Sequence, residues 1–319
     1  MHIPDGFLDT KTIVATSLFS LAGLGKALRS LSREMTSRKI PLMGLAAAFV
    51  FVAQMLNFPV VGGTSGHLLG AVLISVLAGM NAGIVIISLI LVVQAFLFAD
   101  GGILALGANI FNMAIVGSVI GTAMYRGIRL IAPGRWGFYV GVAAAAWCST
   151  VVAAICCAGQ LAWSGTVAWG IGFPAMAGIH MLIGIGEAVI TAIVLAAVTA
   201  TRPDLLSGRG PEDGNAAPLK PLGNAVVYGA IVVAGLALFV SPFSSRWPDG
   251  LEKVAARFGF DTARLSAPLM ASPLAEYRMP GIGLVSVSTA LAGTVGAAVV
   301  SVAAVIVVRA ISRKSAKTS

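Results

Sequence analysis

Long apolar stretches alternate with short polar connections along almost the whole chain. A helix needs roughly 20 apolar residues to cross a bilayer, and nine stretches approach or exceed that length, at about residues 12–31, 40–57, 66–80, 83–99, 104–125, 137–158, 174–200, 224–241 and 283–308. The third and fourth are short, and the glycine in the MNAG sequence of residues 80–83 predicts a turn between them. The pattern predicts an all-α integral membrane protein, with about seven transmembrane helices and a two-helix C-terminal unit that carries an extracytoplasmic loop.

The composition strengthens this prediction. Of the 319 residues, 58% are hydrophobic and 10% are charged, whereas soluble domains carry about 25% charged residues. The formal net charge of +9 does not indicate nucleic-acid binding, because the basic residues lie between apolar spans. The three cysteines fall in one apolar stretch and fit packing roles better than a disulfide framework.

The basic residues also predict the orientation of the chain. If the N-terminus is outside, most of the 21 lysine and arginine residues fall in inside connections and in the C-terminal tail, as the positive-inside rule requires. The exceptions are concentrated in one long outside loop, residues 242–282. We therefore expect a multi-pass membrane protein with its N-terminus outside.

One segment separates the chain into two parts. Residues 206–221 are rich in glycine, proline and charge, which is typical of a linker. The predicted domains are therefore residues 1–205, with seven spans, and residues 222–319, with two spans that flank the external loop.

The first residues carry the most specific candidate chemistry. The MHIPDGF sequence of residues 1–7 lacks the features of a targeting signal, so we expect Met1 to be the mature start. The amine of Met1, the backbone nitrogen of His2 and the His2 imidazole can then chelate a metal in one plane. Such nitrogen sites suit Ni²⁺ or Cu²⁺. The turn-forming Pro4-Asp5-Gly6 sequence could fold these residues back into the bundle, and the same tripeptide recurs at residues 248–250.

A fourth nitrogen is available from His67, which ends the glycine-rich GGTSGH sequence of residues 62–67. Four nitrogens in a plane fit Ni²⁺ and can fit Co²⁺, whereas Zn²⁺ prefers a tetrahedron. Groups beyond the ligands should hold the His67 ring. The candidates for this role are Thr64, Ser65, Asn57 and Asp100.

Two further polar residues lie inside the seventh predicted span. His180 is either a second-sphere or transit ligand or a hydrogen-bonding partner of a neighbouring helix. Glu187 is the only acidic residue inside a span, and such a residue is a functional hypothesis by default. It could relay protons, act as a stepping ligand or clamp two helices. The amides Gln54, Gln94, Asn109 and Asn112 are expected to join helices.

The sequence contains no enzyme motif that we could identify, including phosphate-binding loops and zinc-protease helices. The chain is therefore predicted not to be an enzyme. If transport is driven by ATP, another chain must hydrolyse it.

Two motifs resemble a known family of metal transporters. MHIPDGFL at residues 1–8 and GGTSGHL at residues 62–68 resemble the CbiM/NikM family, the substrate-binding membrane subunits of energy-coupling-factor transporters for cobalt or nickel. This resemblance covers about residues 1–205. PDGLE at residues 248–252, with its flanking spans, resembles the small CbiN/NikN component over about residues 222–311.

The resemblance implies metal coordination by Met1, His2 and His67, with Ni²⁺ or Co²⁺ as transported substrate and no cofactor. It also implies a bacterial or archaeal cell membrane. The implied partners are membrane lipid, a CbiQ/NikQ-like transmembrane coupling subunit and CbiO/NikO-like cytoplasmic ATPase subunits, with no nucleic acid. Two alternatives stay open. One is a stand-alone secondary transporter that uses Glu187 and His180 as a proton or metal relay, and the other is a scaffold that binds no metal.

Overall fold

The computed structural model describes residues 1–206, 222–265, 267 and 269–315. Apart from one hairpin, its regular structure is helical, which confirms the predicted all-α class. The helices are α1 (Thr10–Glu34), α2 (Ile40–Met55), α3 (Ala71–Ala78), α4 (Met80–Val93), α5 (Leu106–Asn109), α6 (Gly117–Ile131), α7 (Gly134–Trp163), α8 (Trp169–Thr201), α9 (Leu222–Gly235), α10 (Gly250–Phe258) and α11 (Val285–Ser315). The strands β1 (Phe58–Val60) and β2 (Thr64–Gly66) pair antiparallel. The predicted linker lies outside the described residues, except for residue 206.

Several helices are suited to a bilayer by length and composition. Within the described ranges, six helical segments are long and apolar enough to cross a membrane, namely Met80–Phe98, Leu106–Ile131, Gly134–Trp163, Trp169–Thr201, Leu222–Phe243 and Val285–Ser312. Helix α1 turns hydroxyl side chains such as Thr12 and Thr16 inward, whereas Phe19 and Leu21 are 65% and 67% exposed. Apolar side chains outside and polar side chains between helices are the arrangement that a lipid environment favours.

The third predicted span is wrong as a continuous helix. Residues 67–70 have no regular structure, and α3 has only eight residues, about 12 Å of helix against a hydrocarbon core of about 30 Å. Gly70 and Gly79 bound this helix with φ of 77° and 99°, a backbone region that favours glycine. The predicted break before the fourth span is confirmed, but it lies at Gly79 instead of residues 80–83.

Two π-helical turns interrupt the helices that approach the N-terminus. One, Gln94–Phe98, ends α4, and the other, Ile110–Val116, joins α5 to α6. Each extra residue in such a turn rotates the side chains that follow it, and π-turns are frequent at functional sites. The first turn begins at Gln94, and the second follows Asn109. Both of these amides contact the first three residues of the chain.

The C-terminal unit packs directly on the first part of the chain. Helix α11 lies along α2, where a Cβ added to Gly293 or Gly296 would lie 2.6 Å from Met55 Sδ or 2.3 Å from a ring atom of Phe51. Small residues permit this close approach of helices. Helix α9 contacts α2, and the short helix α10 contacts both α8 and β2. The segment between α9 and α11 is thereby held over one end of the bundle.

Candidate metal site

The N-terminal residues are folded into the bundle, which the Pro4-Asp5-Gly6 turn had left as one of two possibilities. Met1 is 5% exposed and Ile3 is fully buried. The Asp5 carboxylate accepts hydrogen bonds from the backbone N–H groups that precede α5, those of Ile103, Leu104 and Ala105. Asn109 holds Ile3 through both its main-chain groups, at 2.8 and 3.1 Å. A terminus tied down in this way presents its amine at a fixed position.

Three nitrogen-bearing groups converge where the chain begins. The Met1 amine lies 3.1 Å from Nε2 of His67. The rings of His2 and His67 stack, with centroids 5.1 Å apart and planes inclined by 25°. Met1 and His67, which are 66 positions apart in the sequence, therefore lie in direct contact. This cluster differs from an ordinary carboxylate site, because the described residues contain no group of three His, Cys, Asp or Glu side chains able to hold a metal.

Groups from two other segments surround the His2 ring. Its Nδ1 lies 3.2 Å from Oδ1 of Asp100 and its Nε2 lies 3.2 Å from Oε1 of Gln94. Tyr277, from the C-terminal unit, donates to Asp100 at 2.6 Å and accepts from Gln94 Nε2 at 3.2 Å. Asp100 thus stands beside His2, although the sequence placed it with the groups expected around His67. Each imidazole nitrogen of His2 therefore lies 3.2 Å from a side-chain oxygen.

Burial makes both imidazoles poor bases. It lowers the pKa of His2, and the Asp100 carboxylate only partly opposes this. For His67, burial comes first and the positive N-terminal amine adds to it, so that its pKa falls to about 3. Burial thus favours the neutral form of both rings. Neutral imidazole is the form that binds metals.

The C-terminal unit reaches this cluster through Asp249. Its Oδ2 accepts from the Met1 amine at 2.5 Å. Its Oδ1 accepts from the backbone N–H of Glu252 while the Glu252 side chain accepts from that of Asp249, which is a capping box at the start of α10. Burial opposes ionisation of Asp249, but the amine outweighs it, so the pKa of this carboxyl is lowered. Asp249 therefore has two roles, as a helix cap and as the counter-ion of the N-terminus.

Several predicted outer groups serve this junction instead of the His67 ring. Thr64 donates to the carbonyl of Pro248 at 3.0 Å, and Ser65 donates to that of Trp247 at 2.7 Å. The main chain of Asn57 bonds to the segment between α9 and α10. These three candidates were misplaced because no sequence pattern indicates that the β-hairpin packs against the segment that contains α10. The second Pro-Asp-Gly sequence also differs from expectation, since it begins helix α10 and does not turn the chain back.

His180 lies at the edge of the cluster. Its Nδ1 is 2.8 Å from the Met176 carbonyl on its own helix, so the expected bond to a neighbouring helix is not the one it makes. Its other edge faces Gly250, where an added Cβ would lie 2.9 Å from Nε2. A cavity of about 10 Å³, lined by Met1, His67, His180 and Asp249 among others, separates these groups. That is about the volume of one water-sized particle.

Glu187 clamps the interrupted helix. Its carboxylate, fully buried on α8, accepts from the backbone N–H of Leu69 at 2.5 Å and of Gly70 at 3.0 Å. These groups precede α3, whose N-cap Gly70 has no side chain to cap it. Of the three roles open from the sequence, this geometry corresponds to the clamp. It also fixes the backbone two residues after His67.

The sequence alone missed three residues around the N-terminus. Gln94 could be noticed as an amide in an apolar stretch, but it was expected to join helices. Asp249 had a signal in the repeated Pro-Asp-Gly sequence, which did not show that it would meet Met1. We find no signal that could have indicated Tyr277.

Together, the fold and the cluster define a class of protein. The chain is a multi-pass membrane protein whose buried terminus, two buried imidazoles and flanking carboxylates form a nitrogen-rich site at one end of the helices. Such a donor set suits a borderline transition metal. The class is that of membrane proteins that handle transition-metal ions.

Comparison with known proteins specifies the family. Residues 2–205 match the family model of the cobalt uptake substrate-specific transmembrane region, CbiM, and residues 223–313 match the PDGLE domain. The chain belongs to this cobalt and nickel transport family, in which a CbiM region is joined to a PDGLE domain. The metal ion is accordingly a transported substrate and not a cofactor.

Individual relatives share this arrangement. A protein of Archaeoglobus fulgidus, provisionally named fused nickel transport protein NikMN, is 35% identical over 94% of this chain and 95% of its own. The fused nickel transport protein NikMN of Rhodobacter capsulatus is 36% identical over 73% of this chain and 71% of its own. A crystal structure of a truncated transition metal transporter aligns with a TM-score of 0.58 and 31% identity, over 63% of this chain and 99% of that one.

Proposed function

We propose that this chain is the substrate-capture subunit of an ATP-driven energy-coupling-factor importer for Ni²⁺, Co²⁺ or both. It binds the ion at the extracytoplasmic face through the Met1 amine, His2 and His67. The observation that carries this proposal is the 3.1 Å approach of the Met1 amine to His67 Nε2, with the His2 ring stacked beside it. Two nitrogens at this separation are at the spacing of neighbouring ligands on one small ion.

The ligand set determines the chemistry of capture. The amine, the deprotonated His2 amide and His2 Nδ1 close fused chelate rings, and His67 supplies the fourth nitrogen. Loading exchanges the contact of His2 Nδ1 with Asp100 for the metal, and Asp100 stays close enough to balance its charge. Because Zn²⁺ favours tetrahedral sites, a planar set of nitrogens selects Ni²⁺ or Co²⁺ over it.

The proposed function also requires a source of energy and an orientation in the membrane. The sequence has no phosphate-binding loop, so ATP hydrolysis is assigned to partner ATPase subunits joined through a transmembrane coupling subunit. The distribution of basic residues supports an external N-terminus. Residues 1–205 form the metal-binding domain, residues 206–221 the linker, and residues 222–319 the domain that carries Asp249 to the site.

The His67→Ala variant tests this proposal. We expect the Ni²⁺ affinity of the purified chain to fall by about a hundredfold or more, about 2.8 kcal/mol, because one of four ligands is lost. Isothermal titration would measure it, and uptake into liposomes that also contain the coupling and ATPase subunits should require ATP and fall in parallel. In the His180→Ala variant, affinity should change only a few-fold. If His180→Ala abolishes binding while His67→Ala does not, or if uptake proceeds without ATPase subunits, the relay alternative replaces this proposal.

The ion pair between Met1 and Asp249 gives a second prediction. The ammonium carries one positive charge, and so does a Ni²⁺ ion bound to a deprotonated amide, so the carboxylate meets similar charge before and after loading. Metal binding removes the 2.5 Å hydrogen bond from the Met1 ammonium to Asp249. Hydrogen bonds to charged groups contribute about 1.5–3 kcal/mol to stability. The Asp249→Asn variant should therefore bind Ni²⁺ about tenfold more tightly at pH 6 and retain metal to lower pH.

The matched control for that experiment is Asp261→Asn. It removes the same charge from an exposed position in the same unit, and its metal affinity should equal that of the unmodified chain. Weaker binding by the Asp249→Asn variant at every pH would show instead that this carboxylate attracts the ion and does not compete with it.

A further inference from the structure

A second cavity opens at the end of the helices opposite to Met1 and His67. Its volume is about 780 Å³, which is in the range of sites for organic ligands and far exceeds the need of one ion. It lies among the C-terminal ends of α1, α3 and α6 and the start of α7. Nothing in the proposed capture of metal uses it.

The charge of its lining points to an anion. Three cations line it, Lys39, Arg126 and Arg129, against the single carboxylate of Glu34 among the lining residues that the structure describes. Glu34 already accepts from the side chain of Asn81 at 2.8 Å. A divalent cation would be repelled here, so the cavity is a poor candidate for a metal exit.

Apolar side chains form much of the remaining lining of this cavity. Leu31, Val72 and Phe138 line the cavity, and Leu130, at its edge, is 86% exposed on a helix that spans the membrane. Basic pockets between membrane helices at the polar boundary bind anionic lipid head groups. We propose that this cavity binds an anionic phospholipid, with its phosphate at Lys39 and Arg126 and its acyl chains along the apolar walls.

Thermal unfolding in nanodiscs tests this inference. For the unmodified chain, adding phosphatidylglycerol to phosphatidylcholine nanodiscs should raise the midpoint by about 2–4 °C, and native mass spectrometry should detect the retained lipid. In the Lys39→Gln/Arg126→Gln double variant, both effects should be lost while Ni²⁺ affinity is kept. Arg135→Gln, an exposed cation outside the cavity, should behave like the unmodified chain.

Three outcomes would overturn the inference. The first is an equal stabilisation of the double variant and the unmodified chain by phosphatidylglycerol. The second is the same shift produced by inorganic phosphate alone, which would assign the cavity to a free anion. The third is no lipid effect together with stabilisation by the coupling subunit that the double variant loses, which would make it a protein-docking site. If the unmodified chain does not bind Ni²⁺, that result would count against the proposed function and not against the lipid site.

Discussion

Adding two residues before Met1 should abolish high-affinity metal binding. The extension converts the terminal amine into an amide, so the chelate loses its first nitrogen and its first ring. It also meets a packing obstacle, because Met1 is only 5% exposed and its nitrogen contacts both His67 and Asp249. We expect the Ni²⁺ affinity to fall at least a thousandfold, about 4 kcal/mol.

Metal content and the absorption spectrum of the purified protein would measure this effect. A planar nitrogen complex of Ni²⁺ or Co²⁺ has a characteristic spectrum, so its loss shows that the ligand set changed. The same two residues added at the C-terminus provide the control, and the thermal midpoint shows whether the extended chain is folded. Unchanged binding in a folded, N-terminally extended protein would remove the amine from the ligand set and move the candidate site to His67, His180 and Glu187.

The proposed chelate of Met1 and His2 could be predicted because its parts are local. Met1 and His2 are adjacent, and their chelate depends only on covalent geometry. Pro4-Asp5-Gly6 is turn chemistry that any reader of the sequence can recognise. The pairing with His67 followed from the small number of histidines and from its position at the end of a glycine-rich turn. Local chemistry of this kind does not depend on how the helices pack.

The groups around the ligands could not be predicted, because tertiary structure brings them together. Gln94 contacts His2 from the residue at which a π-helical turn begins, and hydropathy contains no information about either feature. Tyr277 and Asp249 come from the segment between the two spans of the C-terminal unit. A one-residue change in the register of any of these elements would have placed other side chains beside the terminus.

The third span shows the same limit for the fold. Residues 66–80 have the composition of a membrane helix, yet only Ala71–Ala78 is helical. The interruption depends on positive φ at Gly70 and on a carboxylate from another helix that satisfies the freed N–H groups. An apolar composition indicates that a segment is compatible with lipid, but it does not indicate which backbone groups form hydrogen bonds within a helix.

Glu187→Gln should weaken metal binding without blocking transport of metal that is bound. The side chain of Glu187 accepts from two backbone donors, those of Leu69 and Gly70. A glutamine offers one acceptor oxygen and turns its NH₂ group toward the second donor. Leaving that donor buried and unpaired should lower the free energy of unfolding by about 1–3 kcal/mol.

The Glu187→Gln substitution should weaken metal binding because it disturbs the position of His67. The clamped N–H groups follow His67 by two and three residues, and Gln54 holds the same turn from the other side through the Leu69 carbonyl at 2.9 Å. Removing groups that orient metal ligands typically reduces affinity by about 10–100-fold. The Glu187→Gln variant should therefore need more Ni²⁺ for half-maximal uptake, but reach the same uptake rate at saturation.

The matched control lies one turn further along the same face of α8. Thr191 is fully buried and its hydroxyl has no hydrogen-bond partner, so Thr191→Val should leave stability and affinity nearly unchanged. A proton or metal relay at Glu187 requires the opposite pattern for Glu187→Gln, with intact Ni²⁺ binding and uptake lost even at saturating metal. Measuring affinity and saturated uptake on the same variant therefore separates a carboxylate that positions His67 from one that carries protons or metal through the membrane.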